Sequence, residues 1–181
     1  MNRFQFAGEK HSIPRPLRQL TIPAVFSLLS CIQQLENEVD QELAARLRRT
    51  VLDMPAAQFY GLQIGRIARG EIEFLLPFRR ELSFDGMHFQ GSIVGAMADF
   101  AGASAAMTLL PPGTRIATLD YTVKIIAPAR GGRLRGCGRV IGTGKTVSVS
   151  LVEIYADSDV GGMLCASALV STRIFLTDRQ P

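Results

Sequence analysis

Along the chain, the spacing of apolar residues switches between the three-and-four step of a helix and the alternation of a strand. Val25, Leu28, Leu29, Ile32, Leu35, Val39, Leu43, Leu47 and Val51 recur at helical steps after a start signal at Thr21 and Pro23. Gln33, Glu36, Asn37, Asp40 and Arg48 form the polar face. Unbroken to Leu52, such a helix would be roughly 40 Å long, so it either bends or reaches across an oligomer. Next, FYGLQIGRIARGEIEFLLPF predicts a hairpin turning at Arg69 and Gly70, with Ile72, Phe74 and Leu76 on one face and Glu71 and Glu73 on the other. Gly86 to Leu110 predicts a second helix, apolar nearly all round and stopped by Pro111, Pro112 and Gly113.

After that stop the period becomes two. In ATLDYTVKIIAP the odd positions Leu119, Tyr121, Val123 and Ile125 are apolar, and Thr118, Asp120, Thr122 and Lys124 are polar. Arg133 to Ile141, Thr146 to Ala156 and Met163 to Leu176 predict three more strands, separated by glycine-rich turns. Strands do not alternate with helices, so the expected class is α+β: a mainly antiparallel sheet with its helices on one face, curved around the middle helix.

One residue breaks that middle helix. Between Gly86 and Thr114, Asp99 alone carries a full charge at neutral pH. A carboxylate is costly to bury unless it is paired, hydrogen-bonded or neutralised. Helical spacing gives Asp99 a face of very small residues, Ser92, Gly95, Ala96, Gly102, Ala103 and Ala106, while Ile93, Met97, Phe100 and Met107 fall on the stripe beside it. Small residues there could simply admit a neighbouring strand, with Asp99 in a structural pair. The functional alternative is a desolvated acid with a raised pKa, suited to taking a proton or attacking a carbonyl. Its electrophilic partner is the start of the same helix, where the first N–H groups around Gln90 to Ser92 lack helical acceptors and Gly91 permits close approach. Eight residues separate Asp99 from Gly91, about 12 Å along the axis, too far for both to reach one carbonyl. Two helices side by side in a dimer resolve that distance.

Composition narrows the alternatives. The 181 residues suffice for one domain with an extension, and a net charge of +4 spread over both halves does not favour nucleic acid. Cys31, Cys137 and Cys165 form no CxxC pair, and His11 and His88 are the only imidazoles, so neither a disulfide framework nor a metal site is expected. A reducing cytoplasm suits these counts, and the N-terminus lacks the apolar core of a signal peptide. Phe89 to Leu110 is long enough to span a bilayer, but Asp99 near its centre favours a buried core helix and no membrane partner. GTGKT at Gly142 to Thr146 lacks the first glycine of a P-loop and precedes a strand, so it predicts a hairpin turn. RGGRLRGCGR lacks aromatic interleaving, and Ser104 in GASAA is not a nucleophile elbow.

The order of elements, with FQGSIVGAMAD, TLDYTVKIIAPARGG and the closing LCASALVSTRIF, resembles the hotdog-fold acyl-CoA thioesterases of the PaaI-like, phenylacetate-type branch. The resemblance covers Phe59 to Leu176. It implies a hotdog domain over residues 59–181, an N-terminal helical extension over 1–58, and a homodimer or dimer of dimers acting on an acyl-CoA without a cofactor. It places the catalytic acid on Asp99, the oxyanion glycine on Gly91 and a water-assisting hydroxyl on Thr118. The family's HGG triplet reads Gln90, Gly91 and Ser92 here, so Gln90 can orient a carbonyl but cannot act as an imidazole. Arg130, Arg133 and Lys145 are candidates for the coenzyme A phosphates. HFQG at His88 is similar to the HFPG of hotdog dehydratases, a competing reading with His88 as the base. An acyl-CoA-binding sensor regulated by the N-terminal helix is a third.

Overall fold

The computed structural model describes residues 41–158 and 161–176. The predicted helix from Thr21 falls outside the described residues up to position 40. Its end is helix α1 (residues 41–47), which runs into a π-helical turn, Arg48–Leu52, and is followed by the short helix α2 (Pro55–Tyr60). Leu43, Leu47, Val51 and Ala57 from these segments are buried in the same core as the sheet. The remaining elements are β1 (Gln63–Ala68), β2 (Glu71–Pro77), a 3-10 turn at Arg80–Leu82, α3 (Gly91–Met107), β3 (Thr114–Ile125), β4 (Arg133–Thr143), β5 (Val147–Ser158) and β6 (Gly161–Leu176). They form one antiparallel six-stranded sheet in the order β1-β2-β4-β5-β6-β3. The last four strands are therefore not neighbours in simple succession: β3 pairs with β6 and closes the far edge.

The sheet curls around α3, and glycines set how closely it can do so. A Cβ on Gly138 would overlap the Ala101 carbonyl, one on Gly136 would lie 2.6 Å from Met97 Sδ, and one on Gly102 would lie 2.5 Å from Val170. Phe74, Met97, Leu134, Ile154, Val152 and Val170 fill the space between sheet and helix and are fully buried. Each contributes about 1.5–3 kcal/mol of burial free energy. At the C-terminal end of α3, Arg46 donates to the carbonyls of Met107 (3.1 Å) and Leu110 (2.8 Å), a cation placed where the helix dipole is negative. The helix has 17 residues, and no helix among the described residues is long and apolar enough to cross a membrane.

Two expectations change. The middle helix starts at Gly91 rather than Gly86, because Asp85 Oδ1 accepts the N–H groups of Met87 and His88 (2.8 Å each) and holds that stretch in a turn. Short bridges from Phe89 to Ser83 and from His88 to Arg130 keep the following residues extended up to Gln90. Strand β3 also does not keep a single phase. Thr118 pairs with Thr172 and Asp120 with Ser171, so Leu119 is an extra residue in a bulge. Before the bulge the even positions share the inner face of Thr172. After it the odd positions Tyr121, Val123 and Ile125 do, opposite the buried Val170, Ala168 and Ala166. Leu119 is consequently half exposed rather than part of the apolar face.

Candidate active site

The helix α3 is not covered evenly. Ser92, Ala96, Asp99, Ala103 and Met107, spaced by four, three, four and four residues, are its incompletely buried residues along one stripe. The small face predicted around Asp99 thus divides. Gly95 lies under the Tyr121 ring, whose nearest atom would be 3.7 Å from an added Cβ, and Gly102 lies under Val170, while Ser92, Ala96 and Ala103 remain open. Asp99 stands in the middle of that open stripe. It is half-buried in the single chain rather than sealed in the core, which corrects the expectation of a fully desolvated acid.

Thr118 donates from Oγ1 to Asp99 Oδ1 at 2.6 Å. This contact depends on the bulge: with a regular strand, Thr118 and Tyr121 would point to opposite faces, and only one of them could meet α3. The hydroxyl fixes one carboxylate oxygen, and Oδ2 has no hydrogen-bond partner among the described residues. Thr118 and Asp99 are thus brought together.

Gln90 and Gly91 sit at the other end of the helix. Gln90 caps it with an extended backbone (φ −62°, ψ 139°), its side chain makes no capping bond, and it is exposed. Its own N–H is anchored on the Leu82 carbonyl at 2.9 Å. Its carbonyl accepts from Ile93 and Val94, which leaves the N–H groups of Gly91 and Ser92 pointing out of the first turn without helical acceptors. Gly91 is exposed, and Ile125 Cδ1 would stand 3.4 Å from an added Cβ. Such a helix start is suited to an oxyanion. Asp99 and Gly91 of one chain do not converge on a common point.

The loop before the helix holds a feature that sequence reasoning missed. Asp85 Oδ2 meets His88 Nδ1 at 2.7 Å, and Phe84 stacks on the imidazole. That hydrogen bond, and then the two backbone N–H groups, hold the Asp85 carboxyl down at about 2. The DGMH spacing, an Asx turn closing on a histidine, was the available signal. His88 Nδ1 is thereby committed to Asp85, not to an acid on the helix as the dehydratase reading needs.

The three candidate phosphate ligands separate. Arg130 is exposed and its backbone bridges to His88, next to the helix start. Arg133 Nε lies 3.3 Å from Asp157 Oδ2, a carboxylate shared with Arg135 at 3.0 Å. Lys145 is exposed in the β4–β5 turn, at the opposite end of a strand of 11 residues from Arg133. At about 3.3 Å per residue that is more than 30 Å, so one chain cannot present Arg133 and Lys145 to the same phosphate group. No group of His, Cys, Asp and Glu able to hold a metal exists among the described residues.

Comparison with known proteins agrees with this architecture. The sequence model of the thioesterase superfamily matches residues 88–163. A thioesterase family protein from Silicibacter pomeroyi superposes with a TM-score of 0.71 at 24% identity, over 74% of this chain and 98% of that one. A phenylacetic acid degradation-related protein from Ralstonia eutropha JMP134 does so with a TM-score of 0.63 at 25% identity, over 72% and 98%. A relative from Halobacterium salinarum, named as a candidate esterase, is 27% identical over 65% of this chain and 81% of its own. The segment matched by the thioesterase superfamily begins at His88 and contains both Gly91 and Asp99, and the sheet wrapped around α3 has the hotdog fold of these thioesterase-family structures.

Proposed function

We propose that the protein hydrolyses an acyl-CoA thioester to coenzyme A and a carboxylate, at a site made by two copies of the chain. The observation that carries this reading is the Thr118–Asp99 hydrogen bond of 2.6 Å on the one stripe of α3 that the sheet leaves open. A half-buried carboxylate oriented by a hydroxyl, with no partner for its second oxygen among the described residues, is suited to act on something a partner helps to hold. The exposed edge strand β3, with Leu119, Tyr121 and Ile125 uncovered and Ile126 just beyond its end, supports a partner on that side. Bringing a second α3 alongside in antiparallel fashion sets Asp99 of one chain against Gly91 of the other and removes the 12 Å discrepancy.

In that site the thioester oxygen accepts from the Gly91 N–H, with the Gln90 amide as a second donor. Charge that develops on the oxygen in the tetrahedral intermediate is stabilised by these donors and by the helix dipole. Asp99 takes a proton from an attacking water, the C–S bond breaks, and the proton passes to the departing thiolate. Direct attack by Asp99, with hydrolysis of the resulting anhydride, gives the same products. Arg130, whose backbone bridges to His88 just before the helix start, is the cation we assign to the nucleotide end. We further propose a cytoplasmic homodimer that needs no metal or cofactor.

Thiol release from a panel of acyl-CoAs, with Asp99→Asn alongside, tests the assignment. Loss of a positioned base lowers rates by about 10²–10⁴, so Asp99→Asn should lose at least a hundredfold in kcat. Hydrolysis unchanged in that variant would sink the role given to Asp99. Enoyl product in place of free thiol would indicate a dehydratase.

A further inference from the structure

We infer that His88 gives the departing coenzyme A sulfur its proton, with Asp85 and Phe84 holding the imidazole for that step. This rests on the thioester-hydrolase reading above and assigns the fate of the sulfur within it. Residues 88–90 run extended into α3, with Phe89 bridged to Ser83 on one side and His88 bridged to Arg130 on the other. Successive side chains of an extended segment face opposite ways. Phe89 is buried, so His88 and Gln90 share the outward face, with their Cα atoms about 6.6 Å apart. Gln90 and Gly91 are the donors given above to the thioester oxygen. His88 stands one step back from them, paired with Arg130, on the side given to coenzyme A rather than to the acyl group. It is the only imidazole among the described residues.

The ring is held more firmly than the turn requires. Asp85 Oδ1 alone closes the turn, by accepting the N–H groups of Met87 and His88. Its second oxygen, Oδ2, is spent on His88 Nδ1 at 2.7 Å, and Phe84 stacks on the imidazole with ring centroids 5.8 Å apart and planes 18° from parallel. Asp85, with its carboxyl held at about 2, is an ionised acceptor at neutral pH, so Nδ1 carries a hydrogen and Nε2 is the atom left to gain and lose a proton. Nε2 has no hydrogen-bond partner among the described residues, and 21% of the side chain is exposed. A carboxylate on Nδ1 with Nε2 presented is how a histidine is oriented for proton transfer. When the tetrahedral intermediate collapses, the C–S bond breaks and its electron pair leaves on sulfur. The Nε2 proton passes to that sulfur, the imidazolium becomes neutral imidazole, and solvent restores the proton. The proton that Asp99 took from the attacking water returns to solvent, so the net transfer is still from water to thiolate.

The test varies the leaving group. The acyl group that the panel above shows to be hydrolysed fastest is carried on coenzyme A, on pantetheine, which lacks the nucleotide, and on 4-nitrothiophenol, which leaves as a stable thiolate and needs no proton. His88→Asn keeps an amide N–H where Nδ1 stood, so the bond to Asp85 can persist, and removes Nε2. It should lose about tenfold or more in kcat on the coenzyme A and pantetheine esters and less than about threefold on the nitrothiophenyl ester. His88→Gln, a second replacement without a titrating proton, should show the same contrast. Because the contrast is taken within each variant, a general loss of folded protein lowers all three rates alike and does not imitate it. Equal loss on all three esters would make His88 a structural residue of the loop. Loss confined to the coenzyme A ester would make it a phosphate ligand, and no loss on any ester would remove it from the reaction. Each of these results overturns the proposal, and with activity still lost in Asp99→Asn each leaves the hydrolase reading standing. Hydrolysis insensitive to Asp99→Asn would instead overturn the role of Asp99, while the leaving-group contrast still decides His88. No thiol release from any ester by the wild type would overturn both.

Discussion

At the scale of the residue, the proposed site and the loop before it use two carboxylates, one given to the chemistry we propose and one to structure. Asp99 is oriented by Thr118, and that single bond can be probed without touching the acid. A hydrogen bond to a charged group is worth about 1.5–3 kcal/mol, so Thr118→Val should lower kcat by ten- to a hundredfold. Thr118→Ser, which keeps the hydroxyl, should recover most of it. Equal kcat in Thr118→Val and wild type would remove Thr118 from the site. Asp85 works on structure: it closes the turn that leads to Gln90 and Gly91. Its carboxyl titrates at about 2 when folded against 3.8 when free, so its stabilisation is complete above the free value and is lost as pH falls through the folded one. Thermal melts between pH 2 and 5 should therefore show a shallower acid loss for Asp85→Asn than for wild type, and identical slopes would contradict this linkage.

At the scale of the element, most of the fold was legible in the sequence because it follows from periodicity. The alternation of Ile72, Phe74 and Leu76 and the turn at Arg69 and Gly70 are local facts, and the structure keeps them. Where β3 sits was not local. Its pairing with β6 is decided by which edge remains after the hairpins close, and the extra residue at Leu119 leaves no mark in a sequence that still alternates around it. The start of α3 was masked by the absence of any charged or proline break between Gly86 and Gly91, while the Asp85 turn that sets it depends on a side chain lying outside the predicted helix. The smallness of Gly136 and Gly138 was visible but not its reason, the contact with α3. Gly138→Ala pushes a methyl into the Ala101 carbonyl. Overpacking of this kind costs about 1–3 kcal/mol, and a chemical denaturation midpoint should fall accordingly. An unchanged midpoint would mean that the sheet has slack around the helix.

At the scale of the whole molecule, the candidate site was half legible. Asp99 announced itself as the lone charge in an apolar stretch, and Gly91 as the exposed end of a helix. Thr118 came only from resemblance, since nothing in its own neighbourhood distinguishes it before the bulge is known. The larger claim is that neither half acts alone: Asp99 serves a site whose oxyanion donors come from the other chain. Gly91 occupies the first position of α3 after an extended Gln90, the position at which proline is best tolerated. Gly91→Pro therefore deletes the N–H and is expected to leave the helix in place.

Mixing this variant with Asp99→Asn, after subunit exchange verified by native mass spectrometry, measures the central claim directly. Each variant alone should be inactive. If the site is shared, every mixed dimer carries both lesions in one site and none in the other, and an equimolar mixture should regain about a quarter of the wild-type thiol release. Verified exchange with no activity regained would contradict a site built from two chains.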